Sequence, residues 1–133
     1  MQPRIARLYV NNYRSFVNFE LRPGRRSLRL GYNGTGKSSV LDVLHGIRAL
    51  VIGNNDIKDV FPTGTVTKFG GSPEQRFEID IDTERGVLRY VLRVSHQLDE
   101  KTATITSEEL TLEGKPFYSV ADDPAALTHY LAG

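Results

Sequence analysis

The chain of 133 residues contains no cysteine. Disulfides and thiolate metal sites are therefore excluded, and the composition fits a reducing compartment, which predicts a cytoplasmic protein. It has no long hydrophobic run. The most apolar segment, Val40 to Ile52, is broken by Asp42, His45 and Arg48 and is too short and too charged to span a bilayer. The opening MQPRIARLYV lacks an apolar h-region, so no signal peptide is expected. Internal repeats and low-complexity tracts are also missing. The 39% hydrophobic and 25% charged residues are those of a globular domain large enough to bury a core.

The net charge of +1 conceals an asymmetry. Residues 1–50 hold nine Lys/Arg against two Asp/Glu (+7), and residues 51–133 hold eight against fourteen (−6). Positive potential over the first half would attract a nucleotide or nucleic acid, unless Arg22, Arg25, Arg26 and Arg29 merely solvate a strand face.

Alternation of apolar and polar residues marks strands at IARLYVNN, with Ala6, Leu8 and Val10 on one face, and at Phe16 to Arg22. Pro23-Gly24 is a turn, and SLRL is a further strand. A helix follows from Lys37, with Val40, Leu41, Val43, Leu44 and Ile47 at helical spacing and Gly53-Asn54-Asn55 as its stop. Residues 53–74, with four Gly and two Pro, read as irregular surface. QRFEIDID and VLRYVLRV alternate again and are joined by TERG, a hairpin in which acids on one strand face arginines on the next. ATITSEELTLEG adds one or two strands, and DDPAALTHYLAG a short helix capped by Asp123. The segments divide as a nucleotide-binding core at 1–52, a connection at 53–74, an antiparallel β-subdomain at 75–120 and a terminal helix at 121–133. The fold class expected is mixed α/β, a strand–loop–helix unit followed by an antiparallel meander.

The segment between SLRL and the helix carries the chemistry. Gly31, Gly36, Lys37 and Ser38 satisfy G-x-x-x-x-G-K-[ST]. Glycines allow backbone conformations in which successive N–H groups converge on a phosphate. Lys37 supplies a point charge for the β- and γ-oxygens, and the Ser38 hydroxyl is a ligand for Mg2+. The helix that starts there adds its positive end. A random chain of this length carries such an octamer roughly once in a few hundred cases.

Taken together, IARLYVNNYRSF, FELRP and LRLGYNGTGKSSVLDVL resemble the N-terminus of the RecF/SMC/OLD-type P-loop ATPases, an ABC-type branch of the AAA family ATPases. Asn12, Tyr13, Arg14, Ser15 and Phe16 match one signature of that family, and Asn33 to Ser39 match the other. The resemblance is strongest over 4–48 and weaker over 75–120. It implies ATP and Mg2+ as ligands, with Gly31, Asn33, Gly34, Thr35, Gly36, Lys37, Ser38 and Ser39 around the phosphates, Ser38 on the metal and Arg14 beside the nucleotide. Tyr13 and Tyr32 are candidates to touch the base, and Tyr32 stands where the family commonly has proline. The resemblance further implies a role in DNA repair, chromosome maintenance or defence against phage. It brings with it DNA as a partner of the complete protein, and a dimer of ATPase heads or a partner lobe.

The family's hydrolytic parts are not found. A Walker B segment needs four apolar residues before Asp-Glu. RVSHQLDE ends in Asp99-Glu100 but is interrupted by Arg93, Ser95, His96 and Gln97, and FEIDID alternates as a half-exposed strand does. There is no Leu-Ser-Gly-Gly-like signature run. His45, His96 and His129 read as structural or exposed, and Gln75 and Gln97 are unmarked candidates for the glutamine that reaches Mg2+. No catalytic residue is identified, and ATP hydrolysis is expected only if a further lobe or a partner completes the site. Two other readings remain open: a small nucleotide-responsive adaptor without turnover, and the nucleotide-binding subunit of a transporter.

Overall fold

The computed structural model describes residues 3–23, 35–52, 55–67 and 73–119. Six strands form one sheet: β1 (Arg4–Asn11), β2 (Phe19–Leu21), β3 (Glu74–Thr83), β4 (Gly86–Gln97), β5 (Thr102–Leu112) and β6 (Lys115–Ser119). Their order is β2-β1-β3-β4-β5-β6, and each of the five neighbouring pairs is antiparallel. Among the described residues, one long helix, α1 (Thr35–Ile52), and one short helix, α2 (Ile57–Val60), accompany the sheet together with a 3-10 turn at Thr63–Thr65.

This corrects the mixed α/β expectation. The described residues form a mostly antiparallel β-sheet with two helices, not a strand–loop–helix α/β unit. The reason lies in the connections. Parallel neighbours need crossovers of a dozen or more residues, usually helical. From β3 onward every link is a short turn, so each strand folds back on the last. The SLRL segment and the terminal helix at 121–133 lie outside the described residues.

The turns explain the hairpins. In the first, the Thr83 hydroxyl accepts from Arg85 N–H and donates to the Gly86 carbonyl, and Gly86 takes φ +120°, which a side chain rarely allows. Between β5 and β6 the two residues Glu113 and Gly114 have φ +52° and +79°, the hand that matches strand twist.

The sheet has two different faces. Leu8, Val10, Phe77, Tyr90, Leu92 and Val94 are buried on one, and α1 packs there through Val40, Val43, Ile47 and Val51. The opposite face carries the charges. Asp80 stands opposite Arg89 and receives two hydrogen bonds from its guanidinium, at 2.7 and 2.9 Å. Glu78 stands opposite Val91 instead, and takes Arg7 of β1 at 2.8 Å and Arg76 of its own strand at 2.5 Å. The facing of acids and arginines thus holds at one cross-strand position, while Arg7 binds the sheet laterally. A further bond from Arg7 keeps the Glu20 carboxyl below the ordinary carboxylate range.

Residues 55–67, read from sequence as irregular surface, supply the core residue Phe61, which is fully buried. Its ring stacks on Phe77 at 4.3 Å and meets Tyr13 edge-on at 5.8 Å. Gly46 of α1 lets this ring approach, because a Cβ there would fall 2.7 Å from Phe61 Cζ and 3.0 Å from Val60 Cγ1. Gly46→Ala is therefore expected to destabilise by about 1–3 kcal/mol, as overpacking does. Helix propensity alone would stabilise the variant by about 0.5–1 kcal/mol. The sign of the change in urea-unfolding free energy decides between the two.

Candidate functional site

Helix α1 begins at Thr35, two residues before the start expected from periodicity. Thr35, Gly36, Lys37 and Ser38 consequently occupy its first turn, where backbone N–H groups have no intrahelical partner and the helix dipole is positive. Ser39 follows and is buried against the core. Gly31, Asn33 and Gly34, and with them Tyr32, lie outside the described residues.

The NYRSF segment is a tight turn pinned from two sides. Asn12 and Tyr13 N–H both donate to the Phe16 carbonyl, at 2.8 and 3.2 Å, and Phe16 N–H donates back to the Tyr13 carbonyl at 2.8 Å. Asn12 and Arg14 have φ +66° and +52°. Asparagine tolerates this left-handed region, whereas at arginine it costs about 1–2 kcal/mol. The surroundings hold Arg14 there. Its N–H donates to the Thr65 carbonyl at 2.6 Å, and its carbonyl accepts from the Thr67 hydroxyl at 2.8 Å.

The side chains of this turn separate by role. Tyr13 is buried against Phe61 and Phe77, which makes it a core residue and removes it as a base contact. Arg14 faces outward, its guanidinium 5.1 Å from the Tyr13 ring centroid, and donates to Asp42 of α1 at 2.7 Å. The turn is thereby attached to the helix that the phosphate-loop motif opens. No clue of spacing links Arg14 to Asp42, since they lie 28 residues apart.

A second feature escaped sequence reasoning. Gln75 is fully buried, and both its amide protons and its carbonyl oxygen find partners. Nε2 donates to the Asn12 carbonyl at 3.2 Å and to Thr65 Oγ1 at 3.0 Å. With both amide protons committed, Oε1 faces His96 Nε2 at 2.7 Å and must accept from it. The neutral ring then accepts at Nδ1 from the Thr63 hydroxyl, 3.1 Å away. Thr65 Oγ1 in turn donates to the Pro62 carbonyl at 2.6 Å. This network ties the NYRSF turn, residues 62–67, β3 and β4 together beneath Arg14. Gln75 is buried with its Oε1 held by His96, and Gln97 is exposed at the end of β4.

Burial holds the His96 imidazole below its ordinary range. The folded chain thus keeps it neutral where the unfolded chain, at about 6.5, already takes a proton. Stability is full above the unfolded value and falls as pH drops from about 6.5 toward the folded value, by at most about 1.4 kcal/mol per pH unit. Urea unfolding at pH 7.5 and 5.5 is expected to show this loss in the native chain and a smaller one in His96→Gln. Equal losses would mean that other groups carry it.

Asp99 and Glu100 occupy the exposed turn between β4 and β5, far in character from a buried catalytic strand. Among the described residues no group of three or more His, Asp or Glu side chains is placed to hold a metal. No helix among them is long and apolar enough to cross a membrane. The basic half is partly neutralised: Arg7 and Arg14 are paired with acids and Arg22 lies 3.4 Å from Glu20. Arg25, Arg26 and Arg29 lie outside the described residues. An apolar groove of about 290 Å3 opens between α1 and the sheet, lined by Leu44, Ile47, Arg48, Ile79 and Tyr90 among others.

No protein-family model matches the chain, and a search of curated proteins finds no match.

Proposed function

We propose that this chain binds ATP with Mg2+ through residues 31–39, as the N-terminal portion of a RecF/SMC/OLD-like ATPase, and does not turn it over alone. In this reading Lys37 meets the β- and γ-phosphates, Ser38 the metal, and Arg14 a phosphate from the side. The observation that carries the reading is the start of α1 inside the motif, which puts the backbone of Gly36, Lys37 and Ser38 in the first turn, with the NYRSF turn fastened to the same helix by Arg14 and Asp42. The strained backbone at Arg14 supports it, because strain of this kind collects at functional sites. Engagement of DNA, and pairing with a second head or a completing lobe, belong to the whole assembly.

The adaptor reading shares the nucleotide site and differs in having no partner lobe. The exposed position of Asp99 and Glu100 leaves it open. Equilibrium dialysis with Mg-ATP separates nucleotide binding from its absence. Binding near one per chain is expected, with phosphate release no faster than in Lys37→Ala. No binding at millimolar nucleotide would overturn the proposal.

A further inference from the structure

Arg14 and Asp42 are each about half exposed, at 45% and 48%, yet their side chains meet at 2.7 Å. Asp42 lies seven residues beyond Thr35, so its backbone sits about 10 Å along the axis from the start of α1. The arginine is therefore held about one to one and a half turns down the helix from the first-turn backbone of Gly36, Lys37 and Ser38, which precede Asp42 by six, five and four residues. Its backbone cannot follow a ligand, being fixed by Thr65 and Thr67. Only the side-chain torsions are free, with the buried Tyr13 ring as a platform on which the guanidinium can pivot. The contact uses one guanidinium donor in solvent, a weak arrangement beside the paired bonds a phosphate offers.

We propose that Asp42 is a positioning residue, a latch that holds Arg14 away from the nucleotide and is released when phosphate takes its place. The proposal rests on the nucleotide reading above. Asp42 would thus set the threshold for binding by competing with the ligand for one cation, and the turn would report occupancy by losing its tie to α1.

The test is Mg-ATP titration of the full chain by calorimetry, in five variants beside the native protein: Asp42→Asn, Asp42→Glu, Arg14→Gln, Arg14→Gln with Asp42→Asn, and Lys37→Ala. Asp42→Asn is expected to tighten binding about two- to fivefold, the range that an exposed ion pair supports. Asp42→Glu, which keeps the latch, stays near the native value. In an Arg14→Gln background, Asp42→Asn should change nothing, because no arginine is left to release. Unchanged or weaker binding in Asp42→Asn overturns the latch. Equal tightening with and without Arg14 also overturns it, since that marks a general charge effect. Binding that is lost in Lys37→Ala but unmoved by Asp42→Asn defeats the latch alone. Native binding equal to that of Lys37→Ala defeats the phosphate-loop reading and the latch with it.

Discussion

Replacing Phe61 with alanine is expected to lower the free energy of unfolding by about 3–5 kcal/mol. That is a large share of the roughly 5–15 kcal/mol that stabilises a domain. The ring is fully buried, stacked on Phe77 and edge-on to Tyr13, and seated on Gly46. Aromatic pairs add about 0.5–1.5 kcal/mol beyond burial, and two such pairs are lost together. The surrounding groups have little freedom to collapse into the space. Tyr13 is part of the NYRSF turn, Phe77 lies in a central strand, and Gly46 offers no side chain. Urea unfolding of the native chain and Phe61→Ala measures the difference. A loss below about 1 kcal/mol would mean that residues 55–67 are dispensable cover and that the NYRSF turn does not depend on them.

The second large effect concerns Lys37. If the phosphate loop holds Mg-ATP, a nucleotide at a hundred times its dissociation constant stabilises the native chain by about 2.7 kcal/mol, because only the folded form binds. Lys37→Ala removes the one side-chain cation of the motif, in the first turn of α1, where the positive helix end favours an anion. The loss should fall on binding and leave the nucleotide-free stability nearly unchanged. This separates Lys37 from Phe61, whose replacement acts with or without ligand.

Much of the fold was legible because the sequence repeats one simple pattern. Leu8 and Val10, Phe77 and Ile79, and Leu88 to Val94 alternate with polar residues, and these positions form one buried face. Val40, Val43 and Ile47 mark the face of α1 in the same way. The fold class was misread because one strong loop motif outweighed a run of short links that permits only antiparallel neighbours. His96 reads from sequence as structural or exposed, and Gln75 as an unmarked candidate to reach Mg2+, although a sharper signal existed. Gln75 continues the parity of Phe77 and Ile79, and His96 that of Leu92 and Val94, so both had to enter the apolar face and needed partners there. Phe61 was hidden by its glycine- and proline-rich surroundings. The Arg14–Asp42 contact depends on how a turn and a helix meet, which no local pattern encodes.

The account stands or falls on whether residues 31–39 hold a nucleotide. Thermal unfolding of the native chain and of Lys37→Ala, each with and without Mg-ATP, addresses this most directly. The account predicts a clear rise in midpoint for the native chain, no rise for Lys37→Ala, and similar midpoints for the two without nucleotide. An equal rise in both proteins, or none in either, would contradict it.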